Sequence, residues 1–506
     1  MPSIFDDQHP SNAWLKRIAP ISVPVLLVLV IFMQQFLVSL SNATTSTALH
    51  SITSKEDVTD PGVASLTINA KLMIKLRQEL IDEGAIFDSQ GDAHDSIDYL
   101  DSIALNRVDR MRVAIVAAEF LGPSAALVRL DALKSEVQTG SGLAADIDWL
   151  ERWYKSKAAQ AASSLATAPA TATATATKPA HKPNPAPTIA PVTPEAIDAI
   201  IDRHGWFGQL AFSLGKPASD ELRWDAVSGG DRLFTFFGLI NIANLLLVLA
   251  GFLILVPWVI AAARGALDFR LEPPSAPAQI YYETFSLYSL IFTFAVMLSV
   301  ALLGETSTLG LVINEMLVWA CATVVLWPRL RGVPRMEFAD DMGLNRGEGF
   351  LREIGVGIGG FIACFPLSWL VGLAAHALFA DQGDAQAPGG APMYETPLPN
   401  SWALVLLSAS LSIIWAPFVE ECLFRGTLHT ALRSRMGRAA AIILSSLAFG
   451  ATHPYDLQGI VQVSIMGISF ALVREWRGSL IAPIVMHALH NGFLELEQVG
   501  TIALAN

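Results

Sequence analysis

Residues 417–426 read PFVEECLFRG and place two adjacent glutamates and an arginine within an apolar segment. Two more apolar segments follow, LAFGATH at 447–453 and PIVMHALHN at 483–491. Each segment carries two residues four positions apart, a spacing that puts both side chains on one face of a helix. The pairs are Glu421 with Arg425, Phe449 with His453, and His487 with Asn491. Because ionisable groups are costly at lipid depth and normally face a partner or a cavity, the pattern predicts one buried polar site shared by three helices.

The composition of the 506-residue chain indicates a membrane protein. Its mean hydropathy is +0.45 and only 16% of its residues are charged, whereas proteins on average carry about 25% charged residues. Since a membrane-spanning helix needs roughly 20 apolar residues, the apolar segments predict an all-α, polytopic helix bundle of about nine spans. The predicted spans are Ile21–Leu40, Phe234–Ala263, Phe285–Leu303, Leu309–Trp327, Ile354–Ala380, Trp402–Phe418, Ala439–Thr452, Ile460–Val473 and Leu480–Leu494.

The distribution of lysine and arginine predicts the orientation of the spans, because these residues concentrate in short cytoplasmic loops. Lys16 and Arg17 precede the first span, so the N-terminus is predicted to be cytoplasmic and residues 44–232 to be exported. We interpret the first apolar segment as an uncleaved anchor in the inner membrane, with a cleaved signal peptide as the alternative. Alternation then places the remaining loop arginines on the cytoplasmic side: Arg264, Arg270, Arg329, Arg331, Arg335, Arg433, Arg435, Arg438, Arg474 and Arg477.

Six regions are predicted along the chain. Helical periodicity in the second region predicts a small exported all-α domain. The third region is rich in Ala, Thr and Pro; such a composition cannot bury enough apolar surface to fold, so it predicts a disordered linker. A short helix is predicted at Pro194–His204. The regions are a cytoplasmic tail and anchor (1–43), the exported domain (44–157), the linker (158–195), a juxtamembrane segment (196–232), membrane helices (233–349) and a last membrane region with the three motifs (350–497).

Charge and cysteine content restrict the partners and cross-links expected for this protein. The formal net charge is −13; it is carried largely by the exported segment and by acidic loops, and no nucleic-acid partner is predicted. The lipid bilayer is the partner that the apolar segments require. Three cysteines, Cys321, Cys364 and Cys422, all lie in apolar segments, so the sequence implies no disulfide framework.

The polar residues of the three motifs fall at similar depth. Counted along their helices from the cytoplasmic ends, they lie roughly 13–22 Å into the membrane. A Glu and a His can together activate a water for attack on a peptide bond, while a second His and an Asn donate hydrogen bonds to the oxyanion. Glu421 lies one turn before Arg425 and is expected to pair with it. Glu420 points about 100° away, so we predict Glu420 as the base and Glu421 as its support.

The motifs resemble those of a known family. In order along the chain, they are similar to the EExxxR, FxxxH and HxxxN/D motifs of the CAAX protease and bacteriocin-processing (CPBP) family of intramembrane endopeptidases. The resemblance covers roughly residues 350–497. It implies a membrane-embedded helix bundle with a central cavity, and a hydrolase that acts on peptide bonds of a membrane-associated protein or peptide.

Carried over to this chain, the resemblance implies a role for each motif residue. Glu420 and His453 would activate water, while His487 and Asn491 would form the oxyanion hole. Two further motif positions match supporting residues, and one matches an aromatic that is expected to pack: these are Glu421, Arg425 and Phe449.

The need for a cofactor stays open at this point. The family was first described as zinc metalloproteases and is also argued to use glutamate without a catalytic metal. Two histidines and a glutamate can bind zinc with an open position. The chain has no HExxH motif, so we favour a site without metal and keep zinc as the alternative.

Two other functions remain open. Relatives of such a bundle can act as non-enzymatic membrane scaffolds or self-immunity proteins, in which the polar cluster only holds helices together. A transporter with a proton relay would also place Glu and His in the bundle. It would predict inverted repeats, and the sequence shows no convincing internal symmetry. The substrate and its cleavage site are not indicated by the sequence.

Overall fold

The computed structural model describes residues 62–84, 90–104, 106–167, 192–303, 308–379, 402–453, 455 and 457–505. Every regular element within these residues is a helix, so the predicted all-α fold is confirmed. The chain divides into two compact units, one mainly before and one mainly after residue 238. The predicted first span, Ile21–Leu40, and most of the predicted linker lie outside the described residues.

The first unit is built from short and medium helices. Its buried core includes Leu66, Ile97, Val116, Leu150 and Phe207, each contributed by a different helix. The helices are α1 (Gly62–Asp82), α2 (Gln90–Ser102), α3 (Arg107–Leu121), α4 (Pro123–Lys134), α5 (Gly142–Thr167), α6 (Pro194–His204), α7 (Trp206–Ser213) and α8 (Glu221–Val227).

The ends of the predicted linker differ from the sequence-based expectation. Helix α5 continues to Thr167, well past residue 158, because its last residues read KAAQAASSLAT and alanine is the strongest helix former. Helix α6 occupies Pro194–His204 as predicted. The Thr193 side chain accepts a hydrogen bond from the backbone N–H of Ala196, and Pro194 opens the first turn, where its missing N–H costs nothing.

The second unit contains the long apolar helices. Each predicted span except the first overlaps at least one of them, and Leu309–Trp327 overlaps two, with the 3₁₀ segment Ala322–Leu326 between them. The helices are α9 (Gly230–Ala263), α10 (Ala278–Leu303), α11 (Thr308–Cys321), α12 (Trp327–Leu330), α13 (Arg335–Met342), α14 (Phe350–Phe379), α15 (which begins at Trp402 and ends at Arg433), α16 (Arg438–Ala451), α17 (Leu457–Arg477) and α18 (Ile481–Ala505).

Several of these helices are suited to a bilayer. By length and composition, four helical stretches in the described residues are long and apolar enough to cross a membrane: Glu221–Ala263, Phe350–Ala374, Val405–Arg433 and Leu457–Arg477. Helix α9 exposes many large apolar side chains, among them Leu245, Leu249 and Leu253, as expected for a helix that faces lipid. The chain is therefore a helical membrane protein; the count of about nine spans remains a prediction.

Helix α15 carries the first motif and is irregular. Its α-helical parts, Trp402–Ser410, Ala416–Glu421 and His429–Arg433, alternate with two π-helical parts, Leu411–Trp415 and Cys422–Leu428. The predicted span ended at Phe418, and the observed helix continues past the glutamates to Arg433. The continuation is explained by the ion pair described below, which compensates the buried charges. π-Helical turns are rare and occur frequently at functional sites.

Glycines allow the motif helices α16 and α18 to pack closely against the neighbouring helices α17 and α14. A Cβ on Gly357 of α14 would lie 2.6 Å from Cβ of Val485, and one on Gly360 would lie 2.6 Å from Sδ of Met486. Both contacts are with α18, directly before His487. A Cβ on Gly450 of α16 would likewise lie 2.6 Å from the carbonyl oxygen of Ile460 in α17. Real side chains do not tolerate such distances, so these glycines set the spacing of the helices around the site.

Candidate active site

Glu421 and Arg425 form the expected ion pair on α15. Nη1 of Arg425 lies 2.7 Å from Oε1 of Glu421, and both side chains are fully buried. The guanidinium also donates through Nη2 to the carbonyl oxygen of Gly467 at 3.0 Å, and it lies 4.3 Å from the ring centroid of Phe449. A buried charge needs such partners. The pair therefore fixes one carboxylate of the motif in place.

Gly467 on α17 makes room for this guanidinium. A Cβ at position 467 would lie 2.9 Å from Nη2 of Arg425 and 3.2 Å from Cδ1 of Phe449. Gly467 therefore contributes to the site twice, through its carbonyl oxygen and through the absence of a side chain.

His487 on α18 contacts the same carboxylate. Its Nδ1 lies 3.3 Å from Oε1 of Glu421, and its ring stacks on Phe470 with centroids 5.2 Å apart. An ionised carboxylate only accepts hydrogen bonds, so we assign the proton of this contact to Nδ1. Nε2 of His487 is thereby directed away from Glu421. It lies 3.9 Å from Oε2 of Glu420.

Glu420 differs from its neighbour in being partly exposed and in having no arginine partner among the described ion pairs. Its side chain is 23% exposed, whereas that of Glu421 is fully buried. Within the described residues, Oε2 of Glu420 is buried and has no hydrogen-bond partner. The separation of 3.9 Å from Nε2 of His487 is too long for a direct hydrogen bond. A carboxylate oxygen left unpaired beside a histidine nitrogen is suited to bind a polar molecule such as water.

His453 follows helix α16 by two residues and is anchored to it. Its Nδ1 lies 2.8 Å from the carbonyl oxygen of Phe449. A carbonyl only accepts, so Nδ1 donates and Nε2 carries the lone pair of the neutral ring. Among the described hydrogen bonds and ion pairs, none joins His453 to Glu420. The structure therefore brings His453 to the cluster through Phe449 and not through direct contact with the proposed base.

Phe449 lies at the centre of the cluster. Its ring centroid is 4.9 Å from that of His453, 5.9 Å from that of His487 and 5.1 Å from that of Phe424. All three contacts are edge-on, the favourable geometry for aromatic rings. The packing expected for this residue is thus present, and it joins the two motif histidines.

Asn491 ties α18 to the irregular part of α15. Its Nδ2 donates to the carbonyl oxygen of Ser412 at 2.8 Å. Ser412 lies in the first π-helical segment, Leu411–Trp415. An amide nitrogen carries two hydrogens, so Asn491 retains one N–H for a further acceptor.

A second polar cluster supports the helices away from the motifs. Glu475 of α17 accepts from buried His429 at 2.8 Å and pairs with Arg433 at 2.7 Å and Arg438 at 3.0 Å. His429 is fully buried, with its Nδ1 beside the hydroxyl of Ser445.

Zinc binding would require three potential ligands close to one another. In the part of the chain that the structure describes, no three His, Cys, Asp or Glu side chains are grouped so that they could hold a metal ion. The motif residues therefore do not fit a three-ligand zinc site in this arrangement. No step of the mechanism below uses a metal.

Comparison with known proteins identifies relatives of this region. Residues 401–493 match the family model described as Type II CAAX prenyl endopeptidase Rce1-like. This match lies within the region where the motifs predicted a family resemblance, and it confirms that prediction.

Two curated relatives match the chain. It is 32% identical over 115 residues to the membrane-embedded CAAX protease MroQ of Staphylococcus aureus (strain USA300), a match that covers 20% of this chain and 45% of that protein. It is 30% identical over 95 residues to the putative membrane peptidase YdiL of Bacillus subtilis (strain 168), covering 19% and 38%. The chain thus spans less than half the length of these relatives. No solved structure matches it.

Proposed function

We propose that this chain, which carries an Rce1-like CAAX endopeptidase domain at residues 401–493, is an intramembrane endopeptidase. Its substrate in this proposal is a membrane-associated protein or peptide. One observation carries the proposal. Glu420 presents a buried, unpaired carboxylate oxygen 3.9 Å from Nε2 of His487, beside a second carboxylate that is already neutralised by Arg425. A partly exposed carboxylate that can accept a proton, next to one whose charge an arginine compensates, is the arrangement that a hydrolase needs.

The proposed reaction begins with a water bound at Glu420. The carboxylate takes a proton from the water, and the resulting hydroxide oxygen attacks the carbonyl carbon of the substrate. The C=O electron pair moves onto the oxygen, giving a tetrahedral intermediate. The C–N bond then breaks, and Glu420 returns its proton to the leaving nitrogen. In this scheme the acid and the base are the same residue, used in turn.

The other motif residues stabilise this reaction in the proposal. His453 presents its Nε2 lone pair and helps to hold the attacking water. Asn491 offers its second N–H to the oxyanion, as does His487 from Nε2 once that nitrogen carries a proton. Glu421 and Arg425 fix the position of His487 and keep α15 in register with α17.

The proposal places the protein in the inner membrane with several spans. The N-terminus is cytoplasmic, and the helical unit formed by α1 to α8 is exported, where it recruits substrate or regulates cleavage. The positive charge of the loops named above supports this orientation.

The first experiment measures cleavage by the full chain purified in detergent. The substrate is a solubilised membrane-protein fraction from the cells that produce the protein, and new N-termini are mapped by mass spectrometry. We expect cleavage by the wild type, and loss of the same products in Glu420→Gln and His487→Ala. Glu315→Gln is the matched control, because Glu315 is another glutamate of the membrane helices and lies on α11, outside the motifs. This variant should leave the products unchanged.

The same experiment separates the alternatives. Identical products from the wild type and Glu420→Gln would refute the peptidase and favour a scaffold. Loss of cleavage with a zinc chelator, and its recovery with added zinc, would contradict a site that works without metal. Each variant is also checked by size-exclusion chromatography, so that loss of products reflects chemistry and not unfolding.

A further inference from the structure

Tyr455 lies beside the candidate site but belongs to none of the motifs. It follows His453 by two residues, between α16 and α17. The ring centroids of Tyr455 and His453 are 5.6 Å apart with an interplanar angle of 30°. Tyr455 is only partly buried, so a ligand can reach it. The residue thus covers one of the proposed catalytic histidines from the connection between α16 and α17.

Tyr455 is also close enough to Glu420 for the two groups to interact electrostatically. Tyr288 of α10 interacts with Glu420 in the same way. The two tyrosines differ in their surroundings: Tyr288 is buried and stacks on Phe292 with centroids 5.5 Å apart. Of the two, only Tyr455 contacts a motif histidine and remains accessible.

The candidate site has few hydrogen-bond donors available for an oxyanion. Stabilising an oxyanion requires N–H or O–H groups aimed at it. The Nδ1 proton of His487 is used by Glu421, and one of the two N–H groups of Asn491 is used by Ser412. His453 uses its Nδ1 proton on Phe449. With neutral histidines, neither His453 nor His487 has a further N–H, and Asn491 has one left.

We propose that Tyr455 is a further catalytic residue, whose hydroxyl donates a hydrogen bond to the oxyanion of the tetrahedral intermediate. A phenol is a neutral donor that needs no prior protonation, and the ring of this one lies against His453. The inference rests on the proposed endopeptidase function. It predicts a contribution made in the transition state and not in the binding of the intact peptide.

The test compares Tyr455→Phe with Tyr288→Phe in the full chain. Each variant removes one hydroxyl that interacts with Glu420 and keeps the ring. The probe is a quenched fluorescent peptide with the sequence cleaved best in the mapping experiment. Loss of one oxyanion donor lowers kcat by about 10²–10³-fold in a well-studied protease. We expect a fall of at least about tenfold for Tyr455→Phe, with KM changed by less than about threefold. Tyr288→Phe should change neither parameter by more than about threefold.

A second readout distinguishes a catalytic hydroxyl from a packed ring. The C-terminal aldehyde of the same peptide forms a hydrate that resembles the tetrahedral intermediate. Tyr455→Phe should weaken inhibition by the aldehyde by the same factor as it lowers kcat/KM. Tyr455→Ala should add little to the loss in kcat if only the hydroxyl matters.

The outcomes separate this inference from the function on which it rests. If the wild type cleaves and Glu420→Gln does not, but Tyr455→Phe cleaves like the wild type, the role of Tyr455 is refuted and the peptidase stands. Equal losses in both tyrosine variants would also refute it, because they would indicate a general electrostatic effect on Glu420. If the wild type cleaves nothing, the endopeptidase function and the role of Tyr455 are both refuted.

Discussion

Glu421 and His487 meet through one oxygen: Oε1 of Glu421 lies 3.3 Å from Nδ1 of His487 and accepts from Nη1 of Arg425 at 2.7 Å. The two residues belong to different helices, α15 and α18. One buried carboxylate therefore joins the first and third motifs, and the arginine that neutralises it extends the contact to α17 through Gly467. The order of the site thus depends on this carboxylate.

The first prediction concerns this buried ion pair. Glu421→Gln leaves the buried guanidinium of Arg425 without a compensating charge, and breaking a buried pair in this way typically costs about 3–5 kcal/mol. We expect a clear fall in the melting temperature of the full chain in detergent. Glu136→Gln serves as the comparison, because its ion pair with Arg110 is exposed on both sides and its loss should change the melting temperature little.

A double variant sharpens this prediction. Glu421→Gln combined with Arg425→Gln removes both charges, so it should be less destabilised than the sum of the two single variants. Strict additivity of the single effects would show that the pair contributes no coupling, and would contradict the role given to it here.

The second prediction concerns Gly467. Gly467→Ala introduces a Cβ 2.9 Å from Nη2 of Arg425 and 3.2 Å from Phe449, so we expect it to displace the guanidinium and to lower both the melting temperature and peptide cleavage. Gly355→Ala is the matched control, since Gly355 is also helical and nothing lies within 4 Å of its added Cβ. Alanine is the better helix former by about 0.5–1 kcal/mol, so this control should be neutral or stabilising. Equal losses in both variants would contradict the prediction.

The sequence predicted the ion pair within the first motif but not the residues that support the motifs. The spacing of Glu421 and Arg425 was sufficient to predict their ion pair, because both residues lie on one helix. Gly467 and Phe470 were missed, since they reach the site from α17, which carries no motif. Ser412 was missed because it contributes only its carbonyl oxygen. A small residue opposite an arginine leaves no periodic signal in a single sequence.

The irregularity of α15 also could not be predicted from the sequence. Periodicity analysis assumes a constant rotation per residue, and two π-helical segments change that rotation on either side of Glu420 and Glu421. The polar pair made the apolar span seem to end at Phe418. Local hydropathy counts the charge of Glu421 against a membrane span. The ion pair with Arg425 compensates that charge, so the helix continues past Phe418.

The third prediction concerns pH and the exported unit. Burial raises the pKa of Asp146, but hydrogen bonds from His204 and Arg203 outweigh it and hold the pKa below its ordinary value. A lowered carboxyl pKa stabilises the fold above the unfolded-state value near 3.8, and this stabilisation is lost as the pH falls through the folded-state value. Asp146→Asn should therefore speed amide hydrogen exchange in α5 and α6 at pH 7, and the difference from the wild type should shrink below about pH 4.

A nearby aspartate provides the control for this experiment. Asp148 pairs with Lys134, and both side chains are roughly half exposed. Asp148→Asn should leave exchange in α5 and α6 nearly unchanged at either pH, because exposed ion pairs contribute little. A difference between Asp146→Asn and the wild type that stays constant down to pH 3 would show that the carboxylate charge is not the stabilising element.

The fourth prediction tests the orientation of the chain. Val128 on α4 and Met336 on α13 are equally accessible, each 72% exposed, but the distribution of arginines assigns them to opposite sides of the membrane. A cysteine introduced as Val128→Cys should react with a membrane-impermeant maleimide in intact spheroplasts. Met336→Cys should react only after the membrane is permeabilised. The native cysteines Cys321 and Cys422 are buried, so their background labelling should be low. Labelling of Met336→Cys in intact spheroplasts would reverse the proposed topology, and the helical unit would then meet its substrates in the cytoplasm.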